Sequence, residues 1–289
     1  MPEHHVRVRG DGRIGVTKTP GNSLAVAPVC WNPADYAANS VVQMSWAKEL
    51  IARFPLRGKE WILDVGCGDG KITAELAATA PHGGVTGIDS SPEMIRHASS
   101  RYPKRDYPNL HFIQMDARHI RLLQRYDIVF SNAVLHWVDD HPAFLRGASS
   151  CLRSGGRLVV SCGGKGNAQD VFVVLRTEMR LKRWRGFFHK LARPYFFHSP
   201  EEYRAWLPRF GFQPRALRLA DKDMVFDGRE KFTGWFRTTW LPYTQRVPES
   251  SREEFIAAVV ERYIARHPID AAGRVHVRMM RLEIEAARF

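Results

Sequence analysis

The sequence predicts an α/β fold in which helices cover both faces of a doubly wound, mostly parallel sheet. Short apolar strands alternate with amphipathic helices from Trp61 to about Ser161, and this alternation is typical of a parallel sheet. The first strand, Trp61–Val65, runs into three glycines at alternate positions, which indicates a tight turn before a helix. Because ligands of such sheets bind at the carboxyl ends of the strands, we expect a site at this turn.

The predicted elements follow one another regularly up to Cys162. A helix from Pro33 to about Phe54 precedes the sheet, with Asn32 as a suitable cap and proline at the first helical position. Strands are predicted at 61–65, 85–89, 110–115, 126–132 and 157–161, and helices at 72–80, 92–102 and 142–152. The strand and helix periods therefore support βαβ units.

After Cys162 the alternation ends. Helices are predicted at 171–185, 200–210, 229–240 and 251–266, and strands at 215–226 and 274–286. The apolar pattern of the last strand shifts phase at Met279-Met280, which predicts a β-bulge. The expected organisation is a flexible tail (1–30), a cofactor-binding core (31–162), a helical cap or acceptor region with one core strand (163–272), and a last core strand (273–289).

Composition limits the class of protein. The chain has 289 residues, a net charge of +13 and four scattered cysteines without a CxxC pair. These features predict a cytoplasmic protein without a disulfide framework, a structural zinc site or a membrane span. The positive charge favours an acidic partner, which can be a small anion, an acidic carrier protein, a nucleic acid such as RNA or a membrane surface.

The spacing of the glycines separates two kinds of cofactor site. A dinucleotide fingerprint requires glycine at position 71, where this chain has Lys71. The series Asp64-x-Gly66-x-Gly68-x-Gly70 instead resembles the first motif of class I S-adenosylmethionine-dependent methyltransferases. The alternative is a turn in which the glycines have only a structural role.

Polar groups follow four of the predicted strands, and parallel strands bring their carboxyl ends to one edge. Asp89 can accept both ribose hydroxyls, Asp116 can accept an adenine amino group, and Met94 can pack on the adenine face. Any one of these residues could be an ordinary turn former, but together and in order they indicate one cofactor site. The predicted cofactor residues are Asp64, Gly66, Gly68, Gly70, Asp89, Ser90, Met94, Asp116, Ala117 and Asn132.

The acceptor should approach from the loop after the fourth strand. There Trp137 can wall the site or face the sulfonium charge of the cofactor, or it can be an ordinary core residue. His136 can be a base for a hydroxyl acceptor or a polar part of the wall. Tyr36 and Gln43 share one stripe of the first helix and can be presented to a ligand above the glycine turn.

The pieces WNPADY, LDVGCGDG, GIDSSPEMI and NAVLHW, in this order, resemble the trans-aconitate methyltransferase family and the related insect juvenile hormone acid methyltransferases. The resemblance implies a Rossmann-like, seven-stranded class I methyltransferase with one antiparallel strand and a helical cap between the fifth and last strands. It implies S-adenosylmethionine as cofactor, S-adenosylhomocysteine as product and no metal. It also implies that Gln43 and Trp137 hold the carboxyl end of the acceptor.

The expected reaction is carboxyl O-methylation of a small organic acid. A carboxylate is already ionised near neutral pH, so it needs no general base, and no evident base is found in the sequence. The basic segment 176–190, with aromatic residues among its charges, leaves other acceptors open: a carrier-bound acid or RNA. Another small-molecule hydroxyl, or a non-catalytic binding module of the same fold, are further alternatives.

Overall fold

The structure is a computed structural model that describes residues 29–39 and 41–289. The strands are β1 Trp61–Val65, β2 Gly84–Asp89, β3 Leu110–Gln114, β4 Tyr126–Asn132, β5 Leu152–Gly163, β6 Phe212–Phe226 and β7 Val275–Arg288. Within the described residues these seven strands form one sheet, in the order β3-β2-β1-β4-β5-β7-β6. The predicted tail, residues 1–30, lies outside the described residues apart from Val29 and Cys30.

Strands β1 to β5 are parallel to one another, whereas β7 is antiparallel to both β5 and β6. The strand order reverses beside β1, which lies between β2 and β4. A crevice opens at such a switch point, outside the carboxyl ends of the strands. The predicted doubly wound, mostly parallel sheet is confirmed.

The helices lie on both faces of the sheet and in the segment between β5 and β7. They are α1 Pro33–Asn39, α2 Val41–Ile51, α3 Lys71–Thr79, α4 Pro92–Arg101, α5 His141–Cys151, α6 Gln169–Met179, α7 Pro200–Trp206, α8 Gly228–Thr239, α9 Leu241–Thr244 and α10 Glu249–Arg266. Successive strand residues such as Ile62 and Leu63 pack into two different cores, because successive side chains of a strand point to opposite faces. One core includes α2 and α3, and the other includes α5 and α7.

A third core lies in the helical cap between β5 and β7. It joins apolar residues of α6, α8, α9 and α10 and continues onto Trp46 of α2 and Met279 of β7. The cap therefore packs on one end of the sheet's carboxyl edge and on the second helix. The predicted cap between the fifth and last strands is confirmed, while the proposed unit boundaries stay a prediction.

The helix predicted at 171–185 is wrong in its second half. Helix α6 ends at Met179, and the chain turns before a short 3-10 segment at Arg185–Phe188. The turn lets Trp184 and Phe188 pack on Phe255 of α10, with ring centroids 5.3 Å away in both pairs. Tertiary packing here overrides the local helical propensity.

The bulge predicted at Met279-Met280 is also wrong. These residues pair in unbroken register with Lys222 and Asp221 of β6, and the irregularity of this strand pair lies in β6 after Pro214. The phase shift in the sequence has another cause: the first half of β7 packs one face into the cap core through Val275, Val277 and Met279, and the second half packs its other face into the core that includes α5 and α7. In the part of the chain that the structure describes, no helix is both long and apolar enough to cross a membrane.

Candidate active site

The turn after β1 brings the backbone of three glycines to the carboxyl edge of the sheet. Gly66, Gly68 and Gly70 have φ values of +79°, +54° and +80°, a left-handed conformation that glycine adopts without strain. The N–H groups of Gly66 and Cys67 donate to the carbonyl of Ile88 at 2.7 and 3.0 Å. The turn is therefore fixed against the end of β2.

Asp89, the last residue of β2, joins this turn to the start of α4. Its carboxylate accepts hydrogen bonds from the backbone N–H of Gly68 at 3.0 Å and of Ser91 at 2.9 Å. Burial raises the pKa of Asp89, and the hydrogen bonds from these N–H groups act in the opposite direction. The residue lines a large cavity, where its carboxylate can accept the two ribose hydroxyls of an adenosyl group.

Four more of the predicted cofactor residues line the same end of the cavity: Ser90, Met94, Asp116 and Ala117. The Asp116 carboxylate pairs with Arg118 at 2.6 Å, and Arg118 also pairs with Asp139 at 3.0 Å. Partial burial opposes ionisation of Asp116, but the hydrogen bonds and charge of Arg118 outweigh it and hold its pKa below the ordinary value. An adenine amino group would share this carboxylate with Arg118.

Three predicted cofactor residues lie behind the wall of the cavity. Asp64 is buried and accepts a hydrogen bond from Thr73 Oγ1 at 2.7 Å; burial raises its pKa to about 7. Gly70 is the N-cap residue of α3, and Asn132 donates through Nδ2 to the carbonyl of Gln43 at 3.1 Å. Each of the three shapes the turn or the wall, and direct contact of these three residues with the cofactor stays a prediction.

The cavity has a volume of about 1200 Å³ and extends from the glycine turn to the cap. Typical pockets for one small ligand have about 300–1,000 Å³, so this cavity has room for a cofactor and an acceptor. Its second half, which we call the acceptor end, lies beyond β4 and under the cap. The aromatic side chains that line the cavity outside the cofactor residues are Trp31, Tyr36, Trp46, His136, Trp137, Phe172, Tyr195, Phe196, Phe197, Trp235 and Trp240.

The first helices close over the border between the two ends. Tyr36 lies above the glycine turn, and its ring Cε1 is 3.8 Å from the place of a Cβ on Gly68. The ring of Trp31 packs edge-on against Trp137 with centroids 5.3 Å apart, and Gln43 lies on the same wall. The structure thus brings together the predicted acceptor residues Tyr36, Gln43 and Trp137.

His136 belongs to the wall of the acceptor end, and one of its ring nitrogens is already occupied. Its Nδ1 accepts a hydrogen bond from the backbone N–H of Gly163 at 3.2 Å. Burial, assisted by the charge of Arg281, lowers the pKa of His136 to about 3. A neutral imidazole that accepts at Nδ1 carries its proton on Nε2, so His136 faces its surroundings as a hydrogen-bond donor.

The residue that the sequence analysis missed is Arg281 of β7, which is 3% exposed and lines the cavity. Its Nη2 donates to the carbonyl and hydroxyl of Ser161 at 2.8 and 3.0 Å and to Asn132 Oδ1 at 3.3 Å. The guanidinium lies 5.2 Å from the ring centroid of Trp46. Burial lowers its pKa to about 10, which still leaves it charged at neutral pH. The sequence signal that could have identified Arg281 is its position in β7, where it follows the alternating apolar residues Val275, Val277 and Met279.

Known proteins with similar sequences support a methyltransferase. The sequence matches the model of a methyltransferase domain family over residues 57–188. It is 30% identical to trans-aconitate 2-methyltransferase of Escherichia coli over 270 residues, which are 89% of this chain and 98% of the relative. It is 29% identical to trans-aconitate 2-methyltransferase of Rhodopseudomonas palustris over 263 residues, which are 87% of this chain and 96% of the relative.

Solved structures show the same fold. Magnesium protoporphyrin IX methyltransferase from Synechocystis PCC 6803 with bound SAH superposes with a TM-score of 0.50 and 18% identity, covering 89% of this chain and 86% of that chain. Phosphoethanolamine N-methyltransferase 2 of Haemonchus contortus in complex with S-adenosyl-L-methionine gives 0.52 and 16% identity, covering 84% of this chain and 52% of that chain. At such identities the likeness concerns the fold alone.

The fold, the glycine turn and these relatives define a class I S-adenosylmethionine-dependent methyltransferase, with S-adenosylmethionine as its cofactor. Within this class, the chain belongs to the family of the trans-aconitate 2-methyltransferases. The site fits the cofactor, because Gly66 and Gly68 present backbone without side chains beside the carboxylate of Asp89. Among residues 29–39 and 41–289, no cluster of three His, Cys, Asp or Glu side chains is arranged to hold a metal ion.

Proposed function

We propose that the protein methylates a carboxylate oxygen of a small organic acid. The observation that carries this proposal is the lack of a proton acceptor at the acceptor end. Among the described residues of the cavity wall, the carboxylates are Asp89, Glu93, Asp116 and Asp139, all at the cofactor end. His136 is neutral and presents a donor, so it is poorly suited to take a proton. An ionised acid needs no such acceptor.

The cofactor supplies an electrophilic methyl group on a sulfonium, which the acceptor oxygen attacks in line. The residues of this chain would position the cofactor and the acceptor and exclude water. Such positioning can account for much of the rate enhancement of a reaction of this kind. Asp89 and the glycine turn would hold the adenosyl part. Trp31, Tyr36 and Trp137 would close the border between the two ends, with π faces that favour a nearby cation.

The acceptor's carboxyl end would be held by Gln43 and Trp137, as the family resemblance implies. Both residues lie on the wall beside the loop after β4. The relatives are named for trans-aconitate, which is a carboxylic acid, and this supports an acid as acceptor. These relatives give no support to RNA or a carrier protein as partner. In the basic segment, Arg183 is paired with Glu178 and Glu254.

An acceptor screen with methyl-labelled cofactor tests the reaction type. Carboxylic acids of varied length and charge are compared with matched alcohols, phenols and amines. Methyl esters release labelled methanol in mild base, whereas ethers and N-methyl products do not. We expect label that is released by base with at least one acid. Base-stable label on an alcohol, a phenol or an amine would contradict carboxyl methylation and would return His136 to the list of candidate bases.

A further inference from the structure

The acceptor end contains one buried positive charge that the protein does not neutralise. Arg281 forms no ion pair with any carboxylate among the described residues. The nearest acidic residue on its face of β7, Glu283, is bound instead by Arg53 and Arg218. A buried charge without a partner is costly unless something else compensates it. Such a charge on a cavity wall therefore indicates an anionic ligand.

The other two arginines of the described cavity wall, Arg118 and Arg193, are either paired with carboxylates or exposed. Arg118 is held by two carboxylates, Asp116 and Asp139, at the cofactor end. Arg193 is exposed, and its Nε donates to the carbonyl of Tyr195 at 2.9 Å. Arg281 is thus the buried cation that the described wall offers to an acceptor.

Three residues of this cavity wall, Arg281 among them, have a buried polar atom without a hydrogen-bond partner. These atoms are Oε1 of Gln43, Oδ1 of Asn167 and Nε of Arg281, on side chains of residues that are 8%, 6% and 3% exposed and that all line the cavity. Buried polar groups in native proteins normally have hydrogen-bond partners. Three unpartnered atoms on one cavity wall therefore indicate that a polar ligand binds there. A half-turn of either amide exchanges its oxygen for its nitrogen, which lets Gln43 and Asn167 donate to an anion.

Apart from Thr239 and the exposed Arg193, most of the remaining described wall of the acceptor end is apolar. Phe172, Tyr195, Phe197, Trp235 and Trp240 line it together with Met224 and Met279. Tyr195 Oη donates to the carbonyl of Thr239 at 2.8 Å, so its polar atom is already engaged. A second or third carboxylate of an acceptor would face aromatic rings and sulfur, which is unfavourable, since the only other cation of this described part of the wall, Arg193, is exposed rather than buried with the acceptor.

We infer that Arg281 anchors the acceptor's carboxylate, and that the acceptor is an acid with a single carboxylate on a large apolar body rather than a small polycarboxylate. This inference rests on the proposed function, since it names the acceptor of that same site. Arg281 acts here as a binding and specificity residue. Gln43, Asn167 and the Nε2–H of His136 complete the polar patch around it, and the aromatic side chains contact the apolar body.

The test measures binding, so that it does not depend on turnover. The full chain, saturated with S-adenosylhomocysteine, is titrated with dodecanoate, with dodecanamide as its neutral analogue, and with trans-aconitate as a tricarboxylate. We expect dodecanoate to bind at least about tenfold more tightly than either of the others, since a charge-assisted contact contributes about that much. Equal binding of acid and amide, or tighter binding of trans-aconitate, would overturn the inference.

Variants of Arg281 test whether this residue causes the preference for the acid. Arg281→Gln should weaken dodecanoate binding at least about tenfold and leave dodecanamide within about twofold, and Arg281→Lys should restore part of the preference for the acid. Arg278→Gln is the matched control on the same strand, because Arg278 is exposed and pairs with Asp221. If Arg281→Gln does not fold, the wild-type comparison and Arg281→Lys still decide. Unchanged acid binding in a folded Arg281→Gln variant would contradict the anchor.

The two proposals fail separately. If acids bind through Arg281 but never acquire a base-labile methyl group, the recognition stands and carboxyl methylation is wrong. If methyl esters form at an unchanged KM in Arg281→Gln, carboxyl methylation stands and the anchor is wrong.

Discussion

Gly66 and Val134 are in such close contact that the first cannot carry a side chain. A Cβ on Gly66 would lie 2.1 Å from Cγ2 and 2.7 Å from Cβ of Val134. The glycine turn after β1 is thereby packed against the loop after β4. Gly68, two residues on, has only Tyr36 Cε1 within 4 Å of the corresponding position, at 3.8 Å. These two glycines differ in available space while both have positive φ.

We predict that Gly66→Ala is more damaging than Gly68→Ala. Both variants pay for a left-handed alanine, but only the first also overpacks the turn, which should cost about 1–3 kcal/mol more. Urea unfolding measures the difference, and cofactor titration should show weaker binding for Gly66→Ala. Val134→Ala in the Gly66→Ala background should recover part of the loss. Equal stability of the two single variants would contradict this packing.

Asp89→Asn should weaken binding of S-adenosylhomocysteine about 10- to 100-fold, since it removes a charged acceptor of hydrogen bonds. The amide also brings donor hydrogens toward the N–H groups of Gly68 and Ser91. Isothermal titration calorimetry measures the effect. The control is Asp106→Asn, because Asp106 is exposed and pairs with Arg105 on the surface. An unchanged dissociation constant in Asp89→Asn would argue against its role at the ribose.

His136→Gln should retain turnover on a carboxylic acid within about fivefold, whereas loss of a general base costs about 10²–10⁴-fold. Glutamine keeps an acceptor for the N–H of Gly163 and a donor toward the cavity. Because the pKa of His136 is lowered to about 3, it stays neutral above pH 5 and gives no inflection in turnover between pH 6 and 8. A loss above about a hundredfold with unchanged KM would indicate proton abstraction instead.

Asp64 should make stability depend on pH. Its pKa is raised from 3.8 to about 7 by burial, against the opposing hydrogen bond from Thr73. The folded protein therefore binds more protons than the unfolded chain between these values, so this contribution is complete below pH 3.8 and is lost as pH rises to about 7.

Asp64→Asn removes this titration and keeps an oxygen for Thr73. From pH 4 to pH 7, the free energy of unfolding should fall more in the wild type than in the variant, by on the order of 1–3 kcal/mol. Urea unfolding of both proteins at several pH values measures the difference, and other titrating groups cancel in the comparison. Parallel pH profiles would show that Asp64 is ionised normally in the fold.

The cofactor end could be predicted because its signals are local. The strand, the glycines and the following helix are contiguous between Trp61 and Thr79, and the residues after β2 and β3 follow from the same repeating unit. Eleven of the fourteen predicted site residues line the cavity. The other three, Asp64, Gly70 and Asn132, are at the predicted strand ends or turn but support the wall from behind. Sequence position alone does not distinguish these two placements.

The acceptor end could not be predicted in the same way, because its residues meet through long-range pairing. Arg281 and Asn132 are separated by 149 positions in the chain and meet because β7 inserts antiparallel between β5 and β6. In the sequence, Arg281 only ends the alternation of Val275, Val277 and Met279, beyond which the apolar residues lie on the other face of β7. Similarly, helix α6 ends at Met179 because Trp184 and Phe188 pack on Phe255 of a distant helix.

The segment 227–274 leaves and rejoins the sheet at two directly paired residues, Phe226 of β6 and Val275 of β7. A connection whose ends are neighbours imposes little demand on the length of the chain between them. It contributes Trp235 and Trp240 to the wall, whereas the turn after β1 and Asp89 lie outside it. Insertions, deletions and substitutions in segment 227–274 can therefore change the acceptor pocket during evolution, while the residues that hold the methyl donor stay the same.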